Sequence, residues 1–181
     1  MGAKLILVLG GARGGKSSYA EGLAQELGAS DVLYVATAEA RDEEMDARIT
    51  AHQAGRPQGW RTLEAPSLVR IPLADTARGA RVVLIDCLTL LTSNAMLSGE
   101  AEPNSEEAEA SVEAEVDALL GAVADSEGTW IVVTNEVGLG LVPATPLGRA
   151  YRDALGRANQ RLAARADEVV LMIAGLPLRL K

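Results

Sequence analysis

The residues Gly10-Gly11-Ala12-Arg13-Gly14-Gly15-Lys16-Ser17 directly follow the apolar run Leu5-Ile6-Leu7-Val8-Leu9 and fit G-x-x-x-x-G-K-[ST] at every fixed position. Glycines let a backbone curl round an anion with its N–H groups turned inward, and a helix that follows adds its positive N-terminal end. The stretch 19–27 has the composition of such a helix. Strand, loop, Lys-Ser pair and helix therefore come in the order a phosphate-binding loop requires, which a chance glycine-rich turn would not explain. The pattern predicts a site for a nucleotide triphosphate. Lys16 reaches the β and γ phosphates, and Ser17 offers a hydroxyl to Mg²⁺, a hard cation that completes its shell with water and phosphate oxygens.

A chain of 181 residues, 48% of them hydrophobic, has enough apolar material for one substantial core, and a single catalytic domain over 1–181 is expected. The net charge of −8 argues against sequence-independent binding of nucleic acid or of an anionic membrane. The early apolar run is too short to cross a bilayer and runs into the glycine loop without a signal-type cleavage site. A cytoplasmic protein acting on a small soluble substrate is expected. The single cysteine, Cys87, cannot form an internal disulfide and reads as a small core residue.

Short runs rich in β-branched residues recur at 5–9, 32–37, 82–86, 130–134 and 169–173, separated by helix-length stretches. That alternation predicts a three-layer α/β fold, a mainly parallel sheet with helices on both faces. The stretch 106–123 sets Val112, Val116, Leu119, Leu120 and Val123 on one helical stripe and leaves its glutamates for solvent. Asn104 with Glu107 is a candidate cap for that helix, and 99–105 is the most linker-like segment.

Asp86 closes the third strand, so a carboxylate arrives at the carboxyl edge of the sheet, where α/β folds place their ligands. It is the second expected metal partner after Ser17. His52, the one histidine, stands among Arg48 and Arg56; cationic neighbours favour its neutral, nucleophilic form, and such an imidazole can attack phosphorus. Both arginines could equally hold phosphate oxygens, and an idle helix-end histidine is the plain alternative. The run Thr134-Asn135-Glu136-Val137-Gly138-Leu139-Gly140 is either a loop that positions substrate or water, or a glycine hinge. Arg149, Arg157, Arg161 and Arg165 form a stripe that suits a phosphorylated substrate, a neighbouring subunit or a solvated face.

Taken together, the loop, the R-I-x-x-H-x-x-x-R-P-x-x-W block from Arg48 to Trp60, the L-I-D-C-L-T-L-L-T-S-N segment and the N-E-V-G block resemble one family along nearly the whole chain. It is the bifunctional adenosylcobinamide kinase / adenosylcobinamide-phosphate guanylyltransferase family of cobalamin biosynthesis. The resemblance implies the RecA-like version of the P-loop fold, Mg²⁺, ATP and GTP as substrates, and adenosylcobinamide and adenosylcobinamide phosphate as acceptors. It implies a guanylylated histidine at His52, with catalysis shared by His52 and Lys16. Nucleotide contacts carry over to Gly10, Gly11, Ala12, Arg13, Gly14, Gly15, Lys16 and Ser17, to Ala36, Thr37 and Ala38, to Gln53, Ala54, Gly55 and Arg56, and to Glu64 and Asp86. Relatives form trimers, so a homo-oligomer is implied. Two departures are mild: Gly14 replaces a frequent serine, and Asp86 replaces a glutamate found in some members. The segment 41–60, which carries His52, is the expected mobile element.

Two alternatives differ in kind. A simple P-loop small-molecule kinase would leave His52 idle and form no covalent nucleotide adduct. A regulatory GTPase or assembly NTPase would modify no metabolite, but Thr134-Asn135-Glu136-Val137 supplies no guanine-reading N-K-x-D motif, and the acidic charge disfavours work on DNA.

Overall fold

The computed structural model describes residues 2–39, 57, 59–98 and 105–181. Seven strands form one sheet: β1 (Lys4–Gly10), β2 (Val32–Ala36), β3 (Arg61–Glu64), β4 (Val82–Asp86), β5 (Thr129–Asn135), β6 (Glu168–Ile173) and β7 (Leu176–Arg179). Their spatial order is β3-β2-β4-β5-β1-β6-β7, and only the β6–β7 pair is antiparallel. The described helices are α1 (Lys16–Gly28), α2 (Leu73–Ala77), α3 (Leu88–Met96), α4 (Ser105–Ala124) and α5 (Pro146–Arg165).

The central strands are buried on both faces, which is why they read as continuous apolar runs. Ile6, Val8, Tyr34, Leu84, Ile131 and Val133 pack with Ala20 and Ala24 of α1 on one face. Leu5, Leu7, Val83, Ile85, Trp130 and Val132 face the other way, against α3, α4 and α5. The helix 106–123 expected from periodicity is α4, with Val112, Val116, Leu119 and Val123 buried. One glutamate corrects the expected polar face. Glu115 is 5% exposed and accepts hydrogen bonds from Ser67 Oγ (2.5 Å) and from the backbone N–H groups of Leu68 (2.6 Å) and Val69 (3.2 Å). The candidate cap residue Asn104 lies outside the described residues.

Five strands match the expected runs, and the two edge strands are additions. β6 and β7 are joined by Ala174-Gly175 alone, with φ of 52° and 81°, the two left-handed residues of a type I′ hairpin turn. The arginine stripe is used within the fold: Arg157 Nε pairs with Glu109 of α4 at 2.6 Å, Arg161 pairs with Asp117 of α4, and Arg149 donates to the carbonyls of Pro143 and Ala144.

Candidate active site

The phosphate loop leaves β1 at Gly10 and ends in the first turn of α1. At Gly10 a side chain is impossible, because a Cβ would stand 2.4 Å from the Met172 carbonyl oxygen of β6. Gly15 has φ 89° and caps α1, with the Gly175 Cα 3.1 Å from where its Cβ would be. The β6–β7 turn backs the loop directly, since the Gly175 N–H donates to the Gly14 carbonyl at 3.1 Å.

Lys16 is buried at the start of α1, and its Nζ donates to the Gly11 carbonyl at 2.8 Å. Burial pushes its pKa down, partly offset by its electrostatic coupling to nearby Cys87 and Asp86, so Lys16 and Asp86 share one electrostatic neighbourhood. Strand alternation agrees: Val82 and Leu84 face α1, and Asp86 follows them in phase. Tyr34 Oη donates to Asp86 Oδ2 at 2.8 Å, fixing the carboxylate and leaving Oδ1 for a cation or its waters. Ser17 sits half-buried on the first turn of the same helix. A hydroxyl and one carboxylate are hard oxygen donors and few in number, which fits Mg²⁺ bound largely through phosphates and water.

The remaining expected contacts fall along the same edge. Ala36 at the end of β2 pairs with Glu64 of β3 on one side and Asp86 of β4 on the other. Thr37, fully buried, donates from Oγ1 to the Cys87 carbonyl and accepts from the Cys87 N–H, both at 2.7 Å. Asn94 Nδ2 donates to the Thr37 carbonyl (2.8 Å) and to the Pro66 carbonyl (3.1 Å), tying the ends of β2 and β3 to α3. Ala38 follows, half-buried. His52, Gln53, Ala54, Gly55 and Arg56 lie outside the described residues, as does most of the segment 41–60. Trp60, at its end, donates from Nε1 to the Ala29 carbonyl at 2.9 Å and stacks on Tyr34 with ring centroids 6.5 Å apart.

Cys87 packs beside the α1-face core, and burial, helped by the Asp86 charge, pushes its thiol up to about 11. Sequence reasoning singled out the loop and Asp86 but not Tyr34, Asn94 or the Thr37–Cys87 clasp. For Tyr34 a signal existed: it shares strand phase with the expected inward face and sits two residues before the Ala36-Thr37-Ala38 end.

Sheet and loop together define a RecA-like P-loop nucleotide-binding protein. The fold aligns with the crystal structure of the RadB recombinase at a TM-score of 0.51 and 16% identity, covering 93% of this chain and 73% of that one. The cobinamide kinase / cobinamide phosphate guanyltransferase family matches residues 6–180, and the chain belongs to that family. It is 43% identical over 175 residues to the bifunctional adenosylcobalamin biosynthesis protein CobP of Pseudomonas aeruginosa, covering 97% of this chain and 96% of that protein. It is 40% identical over 182 residues to the bifunctional adenosylcobalamin biosynthesis protein CobU of Escherichia coli (98% and 99% covered). The Salmonella typhimurium CobU is 42% identical over 183 residues (98% and 99% covered).

Proposed function

We propose that this protein phosphorylates adenosylcobinamide and then converts the product to adenosylcobinamide-GDP, as one catalytic domain working with Mg²⁺ in the cytoplasm. The observation that carries the reading is the placement of Lys16, Ser17 and Asp86 on one face of the sheet, round a complete phosphate loop. In the kinase step the acceptor hydroxyl oxygen attacks the γ phosphorus of ATP or GTP, the bond to the β-phosphate oxygen breaks, and the hydroxyl proton leaves to water. Lys16 and the N–H groups of Gly10, Gly11, Ala12, Arg13, Gly14 and Gly15 neutralise charge on the phosphates as it shifts. Mg²⁺ held through Ser17 and Asp86 supplies further charge neutralisation when bound.

In the second step a His52 ring nitrogen attacks the α phosphorus of GTP and expels pyrophosphate. A phosphate oxygen of adenosylcobinamide phosphate then displaces the histidine, forming the new P–O–P link and freeing His52. Ala36, Thr37, Ala38, Gln53, Ala54, Gly55, Arg56 and Glu64 are the proposed further nucleotide contacts. A homo-oligomer, a trimer as in relatives, is the proposed assembly.

The test is incubation of the protein and of His52→Ala with α-labelled GTP and Mg²⁺, then denaturation. Acid-labile, alkali-stable label on the parent alone supports a histidine-linked GMP. A folded, GTP-binding parent that takes no label overturns the second step and leaves a simple kinase.

A further inference from the structure

The segment after β5 is uncharged from Val137 to Gly148, twelve consecutive residues in a chain with 25 acidic and 17 basic side chains. It starts beside the phosphate loop, because the Glu136 N–H donates to the Gly10 carbonyl at 3.0 Å. The loop is pinned at both ends. Glu136 Oε1 accepts from the Gly138 N–H at 2.5 Å and stands 2.8 Å from where a Gly138 Cβ would be. At the far end Arg149 Nη1 donates to the carbonyls of Pro143 (3.0 Å) and Ala144 (2.8 Å), and Thr145 Oγ1 caps α5 by accepting from the Gly148 N–H at 3.1 Å.

Between these pins the loop turns its large apolar side chains outward. Leu139 is 86% exposed, Leu141 96% and Val142 67%. One exposed leucine needs no explanation, but three such neighbours on a tethered backbone mark a surface that a ligand or partner covers. Where the loop enters α5 a mostly apolar cavity of about 340 Å³ opens, with Met96, Leu97, Leu147 and Tyr151 in its wall. Tyr151 Oη donates to the Thr89 carbonyl at 3.1 Å, and Thr89 Oγ1 accepts from the N–H of Asn135 at the end of β5 at 2.8 Å. The cavity wall and the root of the loop therefore hang from one residue of α3.

Charge and size choose the occupant. A polyanionic nucleotide is met by the phosphate loop and gains nothing from leucines. Three side chains and one small cavity fall well short of the roughly 800 Å² per partner that a stable protein interface buries. They suit one face of a corrin, a macrocycle rimmed by methyl groups and uncharged amides, whose hydroxyl-bearing arm has to reach a phosphate on the neighbouring loop. We propose that Leu139, Leu141 and Val142, with the cavity beside them, seat the macrocycle of the acceptor, so that acceptor and nucleotide meet across the hydrogen bond between Glu136 and Gly10. The identity of this ligand rests on the proposed kinase reading; the surface rests on exposure and placement alone. A seat fixed before binding lowers the ordering cost of taking up a large ligand.

Equilibrium dialysis with adenosylcobinamide, kinase KM and kcat, ADP affinity and sedimentation are measured for the parent, Leu139→Ser, Leu141→Ser and the triple variant Leu139→Ser/Leu141→Ser/Val142→Ser. The three side chains already face solvent, so the variants are expected to fold, which their thermal midpoints check. Each single change is expected to weaken adenosylcobinamide binding and raise its KM about 10-fold, and the triple change about 100-fold, with kcat within about threefold and ADP affinity within about twofold. Sedimentation is expected to match the parent's. Unchanged acceptor affinity and KM in the triple variant overturn the seat and leave the kinase reading intact. Changed sedimentation, whatever the affinity, assigns the loop to contacts between copies of this chain and overturns the inference. A parent whose adenosylcobinamide binding depends on the loop but which phosphorylates none of it leaves the seat standing and overturns the kinase reading; a parent that neither binds nor phosphorylates it overturns both.

Discussion

Tyr34 Oη donates a 2.8 Å hydrogen bond to Asp86 Oδ2, so the carboxylate expected to meet the metal is oriented by a buried phenol on the neighbouring strand. The Tyr34 ring is itself held by Trp60, whose indole is tied to the Ala29 carbonyl. Groups that orient a ligand in this way typically carry a 10–100-fold share of metal affinity or activity. Tyr34→Phe keeps the ring stack and removes only the hydroxyl. Its apparent Mg²⁺ affinity in the kinase assay should weaken about 10-fold. A Mg²⁺ titration identical to that of the parent would show that Asp86 needs no such support.

The β6–β7 turn should tune both stability and the loop it backs. Ala174 holds φ 52°, a left-handed conformation that costs a non-glycine residue roughly 1–2 kcal/mol. Ala174→Asn creates the Asn-Gly pair that type I′ turns favour, and about 0.5–1 kcal/mol of added stability is expected by urea unfolding. Gly175→Ala has room for its methyl but not the right φ, so it should lose about 1 kcal/mol. Because the Gly175 N–H bonds the Gly14 carbonyl, that variant should also bind nucleotide more weakly. Unchanged nucleotide affinity in a destabilised Gly175→Ala would separate the turn from the loop.

This turn also marks where the sequence was hard to read. Buried central strands such as β1, β4 and β5 are legible because both faces need apolar residues. β3 and β7 sit at the two edges, are mostly exposed, and carry no such run: Arg61-Thr62-Leu63-Glu64 and Leu176-Pro177-Leu178-Arg179. Pro177, which argues against an inner strand, is tolerated at an edge. The loop and Asp86 were legible because their chemistry is local in sequence. Tyr34 on Asp86, or Asn94 on Thr37 and Pro66, joins segments 28–57 residues apart and depends on strand order.

Glu115 shows the same limit and gives a stability prediction. A glutamate in an acidic helix reads as solvated, yet this one closes the turn after β3 by accepting from Ser67, Leu68 and Val69. Glu115→Ala strands the buried Leu68 N–H, at about 1–3 kcal/mol, and removes the acceptors of the part-buried Val69 N–H and Ser67 hydroxyl, so a loss of about 3 kcal/mol is expected. Ser67→Ala, which leaves both N–H bonds intact, should cost about 1 kcal/mol. Comparable losses in the two variants, by denaturant unfolding, would contradict the clasp.

Cys87 supplies a pH prediction whose sign follows from its raised pKa. Burial first, and the Asp86 charge second, push the thiol from 9.0 to about 11, so the folded chain keeps this proton where the unfolded chain releases it. The folded state therefore binds more protons between those values, and stability falls as pH rises through that window. The contribution is fully present below pH 9 and gone above about 11. Cys87→Ala should flatten this part of the profile, so the stability difference between parent and variant should shrink from pH 8.5 to 11, roughly the window the shift defines. The same shift lowers the native thiolate population about 100-fold, since each pKa unit is a factor of ten. Alkylation of the folded parent at neutral pH should accordingly be slow and should quicken on unfolding in urea. A native Cys87 that reacts at the rate of a free thiol would mean that neither burial nor Asp86 controls it.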